Sequence, residues 1–130
     1  MIVDSSALMA IVEGEPDADA LLARAAEGPC RMSAASWVEV GIVADARSAR
    51  HGERLNQIID ALEIEIVPVT VRQAEIARLA YRRYGRGSGS PARLNYGDCF
   101  AYALAEQQQC PLLFVGNDFA QTDIIPARPA

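Results

Sequence analysis

The sequence predicts an α/β fold in which a mostly parallel central sheet is flanked by helices. Short apolar segments of strand character alternate with longer segments whose apolar residues recur at helical spacing. The chain has 130 residues, of which 51% are hydrophobic, and no long polar tract divides it. We therefore expect one domain spanning residues 1–130, large enough to bury a substantial core.

The first strand and the first two helices are predicted from the beginning of the chain. Residues 1–4 form a short apolar run that ends on a carboxylate, which is typical of a buried strand. Ser5 or Ser6 is placed to cap a helix that continues to about residue 12. Pro16 begins a second helix, which ends at Gly28 and the proline that follows it.

The middle of the chain is predicted to contain two strands separated by a pair of helices. Residues 30–33 form a brief strand, and helical periodicity then extends over 34–49 and 53–62. His51 and the glycine after it are expected to form the polar junction of this antiparallel pair. The next strand covers 64–69, with a proline near its end or edge.

The last third of the chain is predicted to form two helices, a loop and the final strands. In order, these are a helix capped by Thr70, a loop over 85–94, a helix over 96–108 capped by Asn95, a strand over 112–115 and a short edge strand at 124–125. The loop is rich in glycine, serine, proline and arginine, so it is the segment that we expect to be mobile.

The composition excludes several kinds of active site. All 12 basic residues are arginine, which excludes a Walker-type phosphate loop, a Schiff-base enzyme and a Ser-Lys nucleophile. The single histidine, His51, is expected to be solvated rather than catalytic. Cys30, Cys99 and Cys110 are odd in number and widely spaced, so we expect reduced thiols rather than a disulfide framework or a zinc knuckle.

Charge and hydropathy give expectations about partners and location. No apolar run approaches the roughly 20 residues that span a bilayer, and no basic segment precedes a long apolar one. We therefore expect a soluble, cytoplasmic protein without a membrane partner. The net charge of −5 is a partial objection to a nucleic-acid partner. Gathering several acids around a metal would remove much of that objection, because local charge matters more than the total.

Four carboxylates lie in apolar or turn-forming surroundings, namely Asp4, Glu39, Asp98 and Asp118. Asp4 ends the first strand, Asp118 follows the strand over 112–115, and Asp98 lies in the first turn of the preceding helix. Because the carboxyl ends of parallel strands meet at one edge of a sheet, these acids are predicted to gather there. Glu39 would reach the same pocket from the middle of a helix. A metal site is the leading interpretation, because an unpaired carboxylate is costly to bury.

Each acid also has a structural interpretation. Asp4 is placed to cap a helix, Asp98 to oppose the positive end of a helix dipole, and Asp118 to form an Asn-Asp turn. Glu39, with apolar neighbours on both sides, would need a buried ion pair with an arginine. These interpretations stay open from the sequence alone.

The sequence resembles that of PIN-domain ribonucleases, most closely the VapC-type toxins of bacterial toxin-antitoxin pairs. The motifs that carry the resemblance are, in order, Met-Ile-Val-Asp-Ser-Ser-Ala-Leu, Ala-Ala-Ser-Trp-Val-Glu-Val, Leu-Asn-Tyr-Gly-Asp-Cys-Phe-Ala and Leu-Leu-Phe-Val-Gly-Asn-Asp-Phe. The resemblance covers essentially the whole chain. It implies a PIN-like three-layer sandwich and a metal-dependent endoribonuclease that cuts structured RNA, such as a transfer-RNA or ribosomal-RNA loop.

The resemblance also implies roles for individual residues. The positions matching the family's acids, which would hold one or two Mg²⁺ or Mn²⁺ ions, are Asp4, Glu39, Asp98 and Asp118. Oxygen ligands of this kind suit Mg²⁺ on chemical grounds as well. We take Asp4, Asp98 and Asp118 as the metal ligands and Glu39 as either a ligand or the acid that positions the attacking water. Ser6 matches a hydroxyl position beside the metal, and Asp123 matches an additional acid.

RNA and protein partners complete the prediction. Arg86 and Arg93, on or beside the Gly-Ser loop, are candidates for RNA phosphate contacts, with solvated arginines as the alternative. The resemblance implies a homodimer and a VapB-type antitoxin. Apolar residues surround much of the helix containing Trp37, which would meet an apolar antitoxin segment or be buried in the core. The alternatives in function are a non-catalytic RNA- or protein-binding regulatory domain with a structural acidic pocket, and a metal-dependent DNA nuclease.

Overall fold

The structure, a computed structural model, describes residues 1–127 and contains a four-stranded parallel sheet. The strands are β1 (Ile2–Val3), β2 (Arg31–Ser33), β3 (Glu65–Val67) and β4 (Leu112–Leu113), in the spatial order β3-β2-β1-β4. Ile2 pairs with Arg31 on one side and with Leu112 on the other, so β1 lies inside the sheet. The predicted parallel sheet is confirmed.

Six helices and one short turn connect these strands in the described part of the chain. They are α1 (Ser5–Val12), α2 (Ala18–Ala25), α3 (Ala34–Arg47), α4 (Ala49–Ala61), α5 (Val71–Tyr84), α6 (Tyr96–Gln108) and a 3₁₀ turn at Phe119–Gln121. Thr70 and Asn95 cap α5 and α6 through their side chains, as predicted. The prediction that Ser5 or Ser6 caps α1 is wrong, because Asp4 accepts the hydrogen bond from the Ser6 N–H.

The helices cover both faces of the sheet. Side chains of β1 alternate between the two faces, as the two-residue period of a strand requires. Val3 packs in a core with α1 to α4, which includes Leu8 and Leu55, whereas Ile2 packs in a second core with α5 and α6, which includes Leu104. This arrangement of helix, sheet and helix layers confirms the three-layer sandwich.

The junction between α3 and α4 is at Ser48, so its prediction at His51 and Gly52 is wrong. Ser48 is extended, with φ −174° and ψ 165°, and its side chain accepts a hydrogen bond from the His51 N–H. A serine that satisfies a free N–H in this way begins a helix. His51 and Gly52 therefore lie inside α4, where a Cβ on Gly52 would overlap the carboxylate of Asp45.

Strand lengths also differ from the prediction near the end of the chain. β4 stops at Leu113, and the predicted edge strand at 124–125 is reduced to one bridge between Leu112 and Pro126. The Leu112 N–H donates to the Ile125 carbonyl at 2.9 Å, and the Ala127 N–H donates to the Leu112 carbonyl at 2.8 Å. β3 likewise ends at Val67, before Pro68.

The loop over 85–94 is closed at its base by backbone hydrogen bonds. The Arg86 N–H donates to the Leu94 carbonyl at 3.0 Å, and the Leu94 N–H donates to the Tyr84 carbonyl at 2.9 Å. Ala92 and Leu94 are buried, so the loop is packed where it leads into α6. Its mobility stays a prediction. Among residues 1–127, no helix combines the length and the apolar character needed to cross a bilayer.

Candidate metal-binding active site

Three of the predicted acids line one cavity of about 310 Å³ beyond the end of β1. The carboxylates are those of Asp4, Glu39 and Asp98, and the other lining residues are Ser5, Ser6, Met9, Val40, Val43 and Asn95. β1, α1, α3 and the start of α6 therefore converge on a small, acidic recess. Its position at the carboxyl end of a parallel strand is the one expected for a functional site in such a sheet.

Asp4 is the most deeply buried of these acids, with 3% of its surface exposed. Its Oδ2 accepts a hydrogen bond from the Ser6 N–H at 3.0 Å, which caps α1. Burial raises the pKa of Asp4, hydrogen bonds from Ser6 oppose that rise, and the charge of Glu39 adds to it. Among the ion pairs of residues 1–127 none involves Asp4, so the capping hydrogen bond leaves the charge of this buried carboxylate without a cationic partner there.

Asp98 combines a structural hydrogen bond with strong electrostatic coupling to the other acids. Its Oδ2 accepts a hydrogen bond from the Asn95 N–H at 2.9 Å, and its own N–H donates to Asn95 Oδ1 at 2.8 Å. Burial, followed by the charges of Asp4, Asp118 and Glu39, raises the pKa of Asp98 to about 6, against the opposing Asn95 hydrogen bond. All three other predicted acids therefore lie close enough to act on Asp98.

Glu39 is half-buried and accepts a hydrogen bond at Oε1 from Ser5 Oγ at 3.0 Å. A Cβ placed on Gly97 would overlap Glu39 Oε2, so its carboxylate also lies directly against the first turn of α6. Among the ion pairs of residues 1–127, none involves Glu39 or the other three acids. The interpretation of Glu39 as half of an ion pair with an arginine is therefore wrong for the described chain.

Asp118 lies at the beginning of the 3₁₀ turn, exposed, and its side chain makes no capping hydrogen bond there. It does not line the cavity, but its charge acts on Asp98. Phe119 is buried and its ring centroid lies 5.3 Å from that of Phe114, which anchors the segment next to Asp118. The buried Phe119 thus fixes the segment that carries Asp118.

Ser6 joins the two strand ends that bear acids. Its Oγ accepts a hydrogen bond from the Val115 N–H at 3.0 Å, and its side chain and N–H both bond Asp4. These contacts hold the segment after β4, which leads to Asp118, beside the end of β1. Ser6 therefore lies where the resemblance implies, next to the acids.

Asp123 is placed away from this recess. Its Oδ1 accepts a hydrogen bond from Tyr102 Oη at 2.6 Å, and its Oδ2 lies 3.5 Å from Arg83 Nη1. It lines a separate cavity of about 450 Å³ between α5 and α6. The contacts of Asp123 thus fix the segment after the 3₁₀ turn against those helices.

Arg86 and Arg93 are exposed at the loop that leads to Asn95. Arg93 has φ +52° and lies between the buried residues Ala92 and Leu94. This left-handed conformation is uncommon outside glycine. Neither arginine takes part in an ion pair with a described carboxylate, so both guanidinium groups are left for an external anion.

The donor set fits a hard divalent cation. It consists of carboxylate and hydroxyl oxygens, which Mg²⁺ and Mn²⁺ prefer, with no imidazole or thiolate lining the recess. In the arrangement seen here, no three acidic, histidine or cysteine side chains within residues 1–127 are close enough together to enclose an ion.

Comparison with known proteins identifies the family. Residues 1–125 match the PIN domain. The chain belongs to the PIN-domain family. Ribonuclease VapC28 of Mycobacterium tuberculosis is 48% identical over 126 residues, which cover 95% of each chain. Ribonuclease VapC42 of the same species is 47% identical over 129 residues, which cover 98% of each chain. The resemblance to VapC-type toxins is thereby confirmed.

Solved PIN-domain structures confirm the fold. Mycobacterium tuberculosis VapC20, described as a sarcin-ricin loop cleaving toxin, superposes with a TM-score of 0.78 at 17% identity, covering 98% of each chain. A toxin-antitoxin complex from Klebsiella pneumoniae contains a chain that superposes with a TM-score of 0.71 at 20% identity, covering 99% of this chain and 98% of that one.

Two residues of this PIN-domain site, Ser5 and Gly97, are not predicted from the sequence to lie beside Glu39. The sequence predicts Ser5 only as a helix cap, and Gly97 enters only as part of the Gly-Asp motif. Both contact the carboxylate of Glu39, which lies 34 positions after Ser5. Their proximity in sequence to Asp4 and Asp98 was the available signal.

Proposed function

We propose that this PIN-domain protein is a metal-dependent endoribonuclease, the toxin of a type II toxin-antitoxin pair, that hydrolyses phosphodiester bonds in structured RNA. The observation that carries the proposal is the recess at the end of β1, where the carboxylates of Asp4, Glu39 and Asp98 line one cavity and where the charge of Asp118 also acts on Asp98. Since no described arginine pairs with these acids, a cation from solution is the natural counterion. A purely structural pocket would be expected to include its own.

Mg²⁺ is the proposed cofactor, with Mn²⁺ as the substitute. Asp4, Asp98 and Asp118 would hold it, because the first two carboxylates line the recess and the charge of Asp118, on the segment after β4, acts on Asp98. A cation held there would supply the Lewis acidity that lowers the pKa of a water and offsets charge on the phosphate and the leaving oxygen. Glu39 would complete the ligand set, or orient the attacking water and take its proton.

The remaining residues of the recess position these acids. Ser6 holds Asp4 and the Val115 backbone together, so the acids after β1 and β4 keep their relative placement. The Asn95 and Asp98 hydrogen bonds fix Asp98 at the start of α6. Asp123, proposed as an auxiliary acid, acts by fixing the segment that follows Asp118.

The proposed substrate is a structured RNA loop, by analogy with the cleavage that its relatives' names describe. Arg86 and Arg93 are proposed to contact RNA phosphates beside the acids, because the loop that holds them ends at the cap of α6. This local positive charge would compensate for the net charge of −5. We propose that the toxin acts in the cytoplasm, where its RNA substrate is found.

A VapB-type antitoxin is the proposed inhibitor. The cleft of about 350 Å³ between α3 and α6 is lined mainly by Val38, Ile42, Val43, Tyr96 and Phe100, and Glu39 lies at its border. Val38 and Ile42 are 55% and 65% exposed, so the interpretation of this helix as wholly buried is wrong. An apolar antitoxin segment would cover the cleft, and an arginine at its end would neutralise the acids by charge-assisted hydrogen bonds. We also propose that the toxin is a homodimer.

The decisive experiment is cleavage by the purified toxin after metal removal. Mg²⁺ or Mn²⁺ should restore cutting of total cellular RNA, with ends that map to a few loops, and should raise the melting temperature of the wild type as a native-state ligand does. DNA offered in parallel tests the DNA nuclease alternative. RNA binding without cleavage under every metal condition, together with a metal-independent melting temperature, would instead establish the regulatory-domain alternative.

A further inference from the structure

The space beside Gly97 is occupied by the side chain of Glu39. A Cβ built on Gly97 would overlap Glu39 Oε2 and would lie 2.7 Å from its Cδ and 2.9 Å from its Oε1. The nearest neighbours are therefore all atoms of one carboxylate. Gly97 lies in the first turn of α6 and is not among the glycines with positive φ. Its backbone conformation is thus open to alanine, which a helix favours over glycine by about 1 kcal/mol.

The other oxygen of the same carboxylate is held from the opposite helix. Ser5 Oγ donates to Glu39 Oε1 at 3.0 Å, and Ser5 is the first residue of α1, directly after Asp4. Glu39 is therefore bracketed between the amino ends of α1 and α6. Both ends carry partial positive charge from their free N–H groups, which favours a carboxylate there.

Glu39 also lies at a boundary between two spaces. It lines the acidic recess together with Asp4 and Asp98, and it lines the apolar cleft between α3 and α6 together with Gly97. A larger side chain at position 97 would push the carboxylate out of its place against α6. The long, flexible side chain of Glu39 could then rotate into the neighbouring cleft between α3 and α6, which it also lines.

We propose that Gly97 and Ser5 are positioning residues, which hold the Glu39 carboxylate in the recess where it acts with Asp4 and Asp98 on the metal. Gly97 does so by leaving space for Oε2, and Ser5 by donating a hydrogen bond to Oε1. The part of this inference that concerns metal and cleavage rests on the proposed function. The contact between Gly97 and Glu39 does not.

A thermal-stability cycle on the metal-free protein tests the contact. Gly97→Ala should change the melting temperature less favourably in the wild type than in a Glu39→Ala background, by about 3 °C, because only in the wild type must a carboxylate move away from the new methyl group. The displaced Glu39 side chain gives up its hydrogen bond with Ser5, and this loss offsets the helix propensity of alanine. The same difference should appear with Glu39→Gln, because the amide has the same shape. Gly41→Ala on α3 is the control, since a Cβ there meets nothing within 4 Å. Equal changes in the wild-type and Glu39→Ala backgrounds would overturn the proposal.

Calorimetric titration with Mg²⁺ tests the positioning role. Gly97→Ala should weaken Mg²⁺ binding about 10-fold, within the range typical of groups that orient metal ligands, and Ser5→Ala should weaken it less. Cleavage should fall in parallel, and Gly41→Ala should change neither. Unchanged Mg²⁺ affinity and cleavage in Gly97→Ala, with the stability coupling present, would overturn the positioning role. A wild-type protein that neither binds Mg²⁺ nor cuts RNA would instead contradict the proposed function, whatever the Gly97 variants show.

Discussion

Asp98 and Asn95 exchange two hydrogen bonds across the beginning of α6. The Asn95 N–H donates to Asp98 Oδ2 at 2.9 Å, and the Asp98 N–H donates to Asn95 Oδ1 at 2.8 Å. The acid proposed to bind metal is therefore also part of a helix cap. This double role makes its charge and its hydrogen bond separable by mutation, because asparagine keeps the acceptor and removes the charge.

Asp98→Asn should nearly abolish cleavage while preserving the fold. Removing one of the four acids reduces the electrostatic repulsion among them in the metal-free protein. The melting temperature of the variant should therefore stay constant or rise. Asp4→Asn and Asp118→Asn should behave alike. Differential scanning fluorimetry and a gel-based cleavage assay measure the two effects.

Asp98→Ala is the matched variant for the cap. It removes both the charge and the acceptor, so it should be less stable than Asp98→Asn by about 1 kcal/mol, the typical contribution of a helix cap. Retained cleavage together with a clear loss of stability in all three asparagine variants would mean that the acids have a structural rather than a catalytic role.

The raised pKa of Asp98 predicts a pH dependence with a definite sign. Its pKa is raised from 3.8 to about 6 by burial and the neighbouring acids, so between these values the folded protein binds more protons than the unfolded chain. The free energy of unfolding of the metal-free protein should therefore fall as the pH rises from about 4 through about 6. Denaturant titrations at several pH values measure this slope, which should be shallower in Asp98→Asn.

Metal affinity should depend on pH in the opposite direction. Mg²⁺ binds the deprotonated carboxylate, so its affinity should increase as the pH rises through about 6, the pKa of Asp98. Calorimetry in two buffers of different ionisation enthalpy would detect the protons released on binding. A pH-independent affinity would place the metal away from Asp98.

Arg86→Ala and Arg93→Ala should each weaken RNA binding and reduce the slope of log affinity against log salt by about 1, the loss of one phosphate contact. Arg50→Ala, an exposed arginine on α4, is the control for the change in total charge. Filter binding across a salt series provides the slopes, and equal slopes for all variants would place the RNA surface elsewhere.

Arg93→Gly separates the charge of this arginine from its backbone conformation. Glycine accepts the φ of +52° at this position more readily than alanine. Arg93→Gly should therefore bind RNA as weakly as Arg93→Ala but melt at a higher temperature.

Tyr102→Phe should destabilise the segment that follows Asp118. It removes the hydrogen bond of 2.6 Å to Asp123, which should lower the free energy of unfolding by about 1 kcal/mol. Cleavage should fall less than 10-fold, since Asp118 itself is unchanged. Asp123→Asn keeps an acceptor for Tyr102 and should have a smaller effect. Loss of cleavage in Asp123→Asn but not in Tyr102→Phe would mean that cleavage depends on the negative charge of Asp123 and not on its hydrogen bond with Tyr102.

Substitutions in the apolar cleft should separate inhibition from catalysis. Val38→Asp and Ile42→Asp place charges on exposed positions of α3, so they should weaken binding of the antitoxin by 10-fold or more while sparing cleavage of RNA. Titration of the antitoxin's carboxy-terminal peptide against cleavage measures this. Replacement of the peptide's arginine, or excess Mg²⁺, should also relieve inhibition if that arginine occupies the acidic recess.

The α/β layer architecture and the four candidate acids can be predicted from the amino-acid sequence alone. Helix caps at Thr70 and Asn95 depend on residues within one turn, and hydrophobic period distinguishes strands from helices locally. The parallel order then places the acids that follow strands at one edge. Ser48 is a local signal as well, because a serine in an extended conformation caps the helix that follows it.

The hydrogen bonds that hold the acids in place depend on the tertiary structure. The hydrogen bond from Ser5 to Glu39 joins positions 34 apart, and the bond from Val115 to Ser6 joins positions 109 apart. Such contacts depend on how α1, α3 and α6 pack around the sheet, which no local pattern specifies. Electrostatic coupling falls with distance and with solvent exposure, so the pKa of Asp98 is raised only when the packed helices bring the other acids near it. The contact between Gly97 and Glu39 likewise forms only when α3 packs against α6.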